Sequence, residues 1–74
     1  MNVTVKLFAT FRIGRFKIEQ RDYPPGTTCR AIIADVGLTE QELGIVLVNG
    51  RHAALETRLE EGDTLSLFPL VGGG

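Results

Sequence analysis

The sequence predicts a small α+β domain in which two strands, one helix and two further strands follow one another. Three observations predict it: alternating apolar residues near both ends of the chain, one helical apolar stripe in the middle, and turn residues between these segments. The 74 residues suffice for a single domain. With 43% hydrophobic and 23% charged residues, the composition is that of a globular protein that can form a core.

The N-terminal third predicts a β-hairpin. Apolar and polar residues alternate from Val3 to Leu7, which is the period of a strand with one buried face. A second alternation, in which Phe16 and Ile18 are the apolar members, predicts the returning strand. Gly14 lies between the two runs and is the predicted turn residue.

The middle of the chain predicts a helix. Proline and glycine at 24–26 interrupt the strand pattern, and Thr27 or Thr28 can cap the N-terminus of a helix that begins there. Gly37 is placed to end the helix. The apolar stripe occurs at i, i+3, i+4 and i+7 and consists of Cys29, Ile32, Ile33 and Val36.

The C-terminal half predicts further strands. The continuous apolar run Ile45–Val48 predicts a central strand that is covered on both faces. Asn49-Gly50 is typical of a type I′ turn, after which a short strand returns around 51–54. A turn at 60–63 precedes the last strand, in which Leu65 and Leu67 are the predicted core residues.

Charge and cysteine content exclude several classes of function. Eight basic and nine acidic residues give a net charge of −1, so we expect no nucleic acid and no membrane as a partner. The single Cys29 cannot build a disulfide framework, which favours a reducing compartment. The chain opens with no secretory signal, and its longest aliphatic run is far too short to span a bilayer. These features together predict a cytoplasmic protein.

The body of the domain offers little catalytic chemistry. His52 lies beside a predicted turn, where a solvated histidine without a catalytic role is the favoured interpretation. Cys29 falls on the apolar stripe and is predicted to be a buried small hydrophobe rather than a reactive thiol. One histidine and one cysteine cannot form a metal site, and we expect no stably bound cofactor.

The predicted functional group is the α-carboxylate of Gly74, at the end of a tail that also contains Gly72 and Gly73. Glycine has no Cβ, so such a tail can thread a channel that is too narrow for other residues. A carboxylate resists nucleophiles until it becomes a better acyl donor, so a partner enzyme must supply the chemistry. The alternative interpretation is a frayed terminus or a cloning remnant.

Three segments of the chain resemble the MoaD/ThiS family of ubiquitin-like sulfur carriers, and they span nearly all of it. The segments are 6–12 (KLFATFR), Val48-Asn49-Gly50 with the downstream Leu59 and 61–63 (EGD), and 67–74 (LFPLVGGG). The first and last look like the molybdopterin synthase small subunit, MoaD. Leu70 stands where that subunit usually has a second proline, and Gly72 stands where it often has alanine.

The resemblance implies a β-grasp fold, a mixed sheet packed on one main helix, with the domain at 1–71 and a flexible tail at 72–74. It also implies that an E1-like adenylyltransferase uses ATP and Mg²⁺ to adenylate Gly74. A sulfur donor, such as a cysteine desulfurase or a rhodanese-type protein, would then form the thiocarboxylate. In the molybdopterin branch, the synthase large subunit is the next partner. The chain would be a co-substrate and a non-catalytic subunit, not an enzyme.

Several alternatives stay open from the sequence. A ThiS-type carrier for thiamine thiazole synthesis is the second candidate, since such carriers usually lack the Phe-Pro pair found here at 68–69. A carrier in another sulfur-transfer pathway is a third. A ubiquitin-like modifier or a binding module with an inert tail belongs to a different class, because fold alone does not decide function.

The residues before the tail are predicted to dock on the activating enzyme. Strand alternation after Leu67 places Phe68 and Leu70 on the side opposite the core, next to the tail. We expect these two, with Pro69 stiffening the approach and Val71 following, to form part of an exposed patch. The alternative is that they cover the edge of the domain's own core.

Overall fold

The computed structural model describes residues 1–70, which form a five-stranded mixed sheet packed on one helix. The strands are β1 (Asn2–Leu7), β2 (Ile18–Asp22), β3 (Leu43–Val48), β4 (Arg51–His52) and β5 (Thr64–Pro69), and the helix is α1 (Cys29–Val36). Short 3₁₀ helices occupy Ala9–Arg12 and Glu40–Glu42. The sheet order is β2-β1-β5-β3-β4; β1 and β5 are parallel, and the other neighbours are antiparallel. The predicted α+β class is confirmed.

Helix α1 begins and ends where the sequence predicts. The side chain of Thr28 accepts a hydrogen bond from the backbone N–H of Ala31, and Gly37 ends the helix in the left-handed region at φ 92°. The apolar stripe of the helix packs on one face of the sheet. The core consists of Val3, Val5, Leu7, Phe11, Cys29, Ile32, Ile33, Leu38, Leu59, Leu65 and Leu67.

The predicted hairpin is present, but the predicted burial of its second strand is wrong. Phe16 lies before β2 and packs against the core, whereas Ile18 within the strand is 53% exposed. The register explains the difference. Ile18 lies opposite Lys6, which points away from the core, whereas the residues on either side of Lys6 in β1 point into the core. The connection also contains a 3₁₀ helix at 9–12, so it is longer than a tight turn at Gly14.

The predicted central position of the apolar run Ile45–Val48 is also wrong. This run lies in β3, whereas β5 occupies the middle of the sheet, between β1 and β3. Because the single helix covers only one face, Ile45 is 42% exposed on the other face. The turn after β3 is confirmed, since Asn49 and Gly50 have φ values of 52° and 81°. The returning strand β4 is shorter than predicted and spans only Arg51–His52.

The last strand and the turn before it agree with the prediction. Leu65 and Leu67 are fully buried in β5. In the preceding turn, the Asp63 carboxylate accepts a hydrogen bond of 2.8 Å from the Glu60 backbone N–H. The side chain of Asn49 ties the two turns together through a bond of 2.9 Å to Asp63. Within residues 1–70, no helix has the length and apolar character needed to cross a membrane.

Candidate functional site

The root of the predicted tail lies at the end of β5, where three parts of the chain meet. Since β1 and β5 run parallel, their C-terminal ends are neighbours, and the N–H of Phe8 donates to the carbonyl of Leu67 at 3.2 Å. On the other side, the N–H of Leu70 donates to the carbonyl of Glu42 at 3.0 Å. The end of β5 is therefore anchored from both sides, through Leu67 on one side and Leu70 on the other. The predicted tail, 72–74, and Val71 lie outside the described residues.

An apolar patch surrounds this root on the sheet face opposite the helix. The rings of Phe8 and Phe68 are stacked, with centroids 4.1 Å apart and planes 9° from parallel. Ile45 is the cross-strand neighbour of Phe68, and Leu70 is 66% exposed just beyond it. We call Phe8, Ile45, Phe68 and Leu70 the tail-root patch. Its aromatic members are half-buried by each other and by strand neighbours, not by the core.

A guanidinium group borders the patch. The Arg12 guanidinium carbon lies 5.3 Å from the centroid of the Phe8 ring, which is within the range of a cation–π contact. Its position is fixed by a second contact, because Arg12 Nε donates to the carbonyl of Leu7 at 2.7 Å. The 3₁₀ helix at 9–12 thus brings a fixed positive charge beside the exposed apolar surface.

The predicted docking residues divide between two faces of β5. Phe68 lies on the open face, as predicted, and Leu70 is exposed. Pro69, which the sequence analysis groups with the docking residues, is buried on the core side and pairs with Leu43. Its side chain is therefore not available to a partner. A docking role for Phe68, Leu70 and Val71 stays a prediction.

The structure adds two patch residues, Phe8 and Ile45, and one bordering residue, Arg12, that the docking prediction did not contain. Phe8 and Arg12 belong to the segment 6–12, whose resemblance to the carrier family was the available signal. The sequence predicts a strand at Ile45–Val48 that is covered on both faces, and only the position of β3 in the sheet shows that the Ile45 side chain is exposed.

Gly44 determines how closely β3 approaches the tail root. A Cβ atom added at this position would lie 2.6 Å from the carbonyl oxygen of Pro69 and 3.0 Å from the nitrogen of Leu70. The pairing of β3 with β5 shifts register here, between Leu43 and Ile45, as in a β-bulge. The absence of a side chain therefore permits the backbone contact that anchors the root.

Positive charge gathers at this end of the molecule. Lys6, Arg12, Arg15 and Lys17 lie on β1 or in the β1–β2 connection, while the salt bridges of residues 1–70 involve only Arg21 and Arg30. None of these four side chains forms a salt bridge within the described part of the chain, although Arg15 lies close enough to Glu42 to help lower the pKa of that carboxyl.

Glu42, whose carbonyl binds the Leu70 N–H, is itself held in place by its side chain. Its carboxylate accepts bonds from the backbone N–H and the hydroxyl of Thr39, at 2.9 and 2.8 Å. The backbone bond, followed by the hydroxyl bond, lowers the pKa of Glu42 below its usual range. This capping box fixes the carbonyl of Glu42, which receives the Leu70 N–H.

The other residues considered from the sequence lie away from this site. Cys29 is buried, and burial raises the pKa of its thiol, which opposes reactivity. His52 is exposed on β4. A pocket of about 500 Å³ lies at the opposite end of the sheet, lined by residues that include Met1, Arg58 and Glu61. Within residues 1–70, no group of three or more His, Cys, Asp or Glu residues could hold a metal ion.

The chain is similar to known proteins over nearly its whole length. The family model of the ThiS family matches residues 5–74. Among solved structures, the putative molybdopterin converting factor subunit 1 from Pyrococcus furiosus is 29% identical with a TM-score of 0.79, covering 96% of this chain and 99% of that one. A search of curated protein sequences finds no match.

Two further structures represent different contexts of the same fold. One chain in the structure of the complex of subunits 1 and 2 of the molybdopterin-converting factor from Helicobacter pylori matches at 27% identity and a TM-score of 0.64. The match covers 100% of this chain and 100% of that one. Small archaeal modifier protein 1 from Haloferax volcanii matches at 26% identity and a TM-score of 0.74, covering 95% of this chain and 98% of that one. These similarities confirm the predicted ubiquitin-like β-grasp fold.

Proposed function

The chain belongs to the ThiS family, and we propose that it is a molybdopterin-type sulfur carrier that bears its sulfur on the carboxylate of Gly74. The observation that carries the proposal is the exposed tail-root patch, which lies where β5 leads into the glycine tail. An exposed patch at this place suits a protein that a partner enzyme binds at the base of the tail while the carboxylate reacts in the partner's active site. The family match, which extends through residue 74, supports the same chemistry.

The proposed reaction begins in a partner's active site. An E1-like adenylyltransferase holds ATP and Mg²⁺, and the carboxylate of Gly74 forms an acyl adenylate with release of pyrophosphate. A sulfur donor, such as a cysteine desulfurase or a rhodanese-type protein, then attacks the acyl adenylate with the terminal sulfur of its cysteine persulfide and displaces AMP, giving an acyl disulfide. A thiol that acts as the two-electron reductant cleaves the S–S bond, which releases the thiocarboxylate and leaves a disulfide. This chain contributes the acyl group and the docking surface, and it is a co-substrate rather than a catalyst.

The free-energy cost of ordering the tail explains why the carrier needs a docking surface. Ordering three glycines in a channel costs roughly 3–6 kcal/mol, at about 1–2 kcal/mol per residue. At about 25 cal/mol per Å², recovering this free energy takes on the order of 120–240 Å² of apolar burial. Phe68 and Leu70, with Phe8 and Ile45 beside them, offer apolar surface for this purpose directly at the tail root.

The molybdopterin branch also implies a second partner. The Helicobacter pylori structure is a complex of subunits 1 and 2 of the molybdopterin-converting factor. By analogy, we propose that the thiocarboxylate form of this chain binds a synthase large subunit and donates its sulfur to a pterin precursor. A thiamine-type carrier remains the second candidate within the family.

Intact-mass analysis tests the chemistry. Incubation with the activating enzyme, ATP and the sulfur donor should add the mass difference of one oxygen replaced by one sulfur, located at Gly74. Deleting Gly74 should abolish the modification without changing the melting temperature. An unmodified mass, obtained with an enzyme that activates another carrier under the same conditions, would contradict the proposal.

Leu70→Ala tests the docking surface. We expect weaker binding to the activating enzyme at a nearly unchanged melting temperature, because this side chain is 66% exposed. Ile18→Ala is the matched control, since Ile18 is 53% exposed on the same face but lies on β2, with β1 between it and β5. Equal effects of the two variants on binding would rule out a patch centred on the tail root.

A protein modifier is the second candidate function. The similarity to small archaeal modifier protein 1 favours it, because a modifier also acts through its terminal carboxylate. A modifier should appear in cells as conjugates in which Gly74 is joined to lysines of other proteins. Mass spectrometry of purified tagged protein distinguishes this outcome from a thiocarboxylate alone.

A further inference from the structure

The outer edge of β2 is unpaired within the described structure. Strand β2 is the first in the sheet order and contacts only β1 as a strand neighbour. The N–H of Leu7 donates to the carbonyl of Lys17, and the N–H of Tyr23 donates to the carbonyl of Met1. Antiparallel alternation then directs the odd-numbered residues of 17–23 towards β1. The backbone groups of the even-numbered residues 18, 20 and 22 therefore point away from the sheet.

The charges on this edge are self-complementary in one register. In an antiparallel two-fold pair centred on Gln20, Glu19 of each copy lies opposite Arg21 of the other, giving two pairs of opposite charge. The remaining pairs are Gln20 with Gln20 and Ile18 with Asp22, which set no like charges against each other. All the backbone groups used in this register are the outward ones.

Neighbouring registers are disfavoured. A two-fold centre at Glu19 sets this carboxylate against its own copy and Lys17 against Arg21. A centre at Arg21 sets two guanidinium groups against each other. Charged residues on an edge strand usually prevent strand pairing, but here they favour the register centred on Gln20 over its two neighbours.

We propose that the β2 edge is a homodimerisation surface, on which a second copy of this chain pairs in the register centred on Gln20. Glu19 and Arg21 are already held on the helix side of the sheet, where Arg21 bonds both Glu19 and Asp35 at 3.1 Å. The dimer has one continuous ten-stranded sheet. Its interface lies on the far side of β1 from β5, so both tail-root patches stay accessible. A contact of one short strand gives a weak, concentration-dependent dimer.

Charge-reversal substitutions test the register. Sedimentation velocity over a concentration series should show a monomer–dimer equilibrium for the natural chain. Glu19→Arg and Arg21→Glu should each weaken dimerisation about tenfold, because two opposite-charge pairs become two like-charge pairs. An equimolar mixture of the two variants should recover association as a heterodimer. A mixture that associates no better than its components overturns the proposed register.

A backbone variant tests strand pairing independently of charge. Gln20→Pro removes an outward N–H and should abolish the dimer while the domain stays folded, because edge strands tolerate proline at outward positions. The melting temperature of each variant shows whether the domain is still folded. In the natural chain, amide NMR shifts should change with concentration at residues 18, 20 and 22. A monomer at all concentrations, or undiminished dimerisation by Gln20→Pro, overturns the proposal.

Discussion

Replacing Gly44 with alanine places a methyl group against the backbone at the tail root. The added Cβ would lie 2.6 Å from the carbonyl oxygen and 2.9 Å from the carbonyl carbon of Pro69. Both are backbone atoms of a paired strand, so no side-chain rotation can relieve the contact. The φ of Gly44 is outside the left-handed region, so alanine can adopt the backbone conformation itself. The cost of the substitution is therefore steric.

The size of the required movement follows from the contact distance. Ordinary van der Waals contact begins at 3.4 Å, so the two strands must separate locally by 3.4 minus 2.6, or 0.8 Å. Forced overpacking of this kind costs about 1–3 kcal/mol. For a domain of this size, 1 kcal/mol lowers the melting temperature by roughly 4–8 °C. The adjacent bond from the Leu70 N–H to the Glu42 carbonyl should lengthen or break.

Thermal unfolding and amide hydrogen exchange measure the two effects. Gly44→Ala should lower the melting temperature by at least about 4 °C and increase exchange of the Leu70 amide. Gly14→Ala is the control, because Gly14 has a positive φ of 71° and no atom within 4 Å of the added Cβ. The control should cost stability through backbone strain alone and leave the Leu70 amide protected. An unchanged melting temperature with a protected Leu70 amide would refute the steric argument.

Two further predictions concern the helix and the tyrosine near it. Thr28→Ala should destabilise the domain by about 1 kcal/mol in chemical denaturation, because it removes the side-chain bond to the N–H of Ala31; a cost near zero would show that water replaces this cap. Burial and then the hydrogen bond to Asp35 raise the pKa of Tyr23 to about 12, so ultraviolet titration should show late ionisation, and Asp35→Asn should lower this pKa. Because the folded-state pKa is raised, the tyrosine's contribution to stability is complete below the ordinary tyrosine pKa of 10.0 and is lost as the pH rises towards 12. A normal titration of Tyr23 in the folded protein would contradict this contribution.

The sequence by itself determined the elements whose signals are local. The helix is bounded by the cap at Thr28 and the left-handed Gly37, which act within one turn of the residues they stabilise. The turn at Asn49-Gly50 needs positive φ at both positions, a requirement that these two residue types meet without tertiary help. The last strand has alternation strong enough to assign its buried face. For the same reason, the sequence predicts that Phe68 lies on the opposite face of this strand.

The sequence also predicts a functional tail, because three consecutive glycines follow the last predicted strand and because segments 6–12 and 67–74 resemble the carrier family. The family match to residues 5–74 agrees with that resemblance. The buried position of Pro69 could have been predicted from alternation with Leu65 and Leu67, but the docking hypothesis grouped it with its neighbours.

Only the tertiary structure decided which strands are neighbours and what lies beside the tail. Strand β5 takes the central position because it pairs in parallel with β1 and antiparallel with β3, and both partners are distant in sequence. This arrangement stacks Phe8 on Phe68, exposes Ile45 and requires Gly44 to have no side chain. The physical reason is that periodicity and caps are encoded within a few residues, whereas strand order depends on how the whole chain buries its apolar surface on one helix.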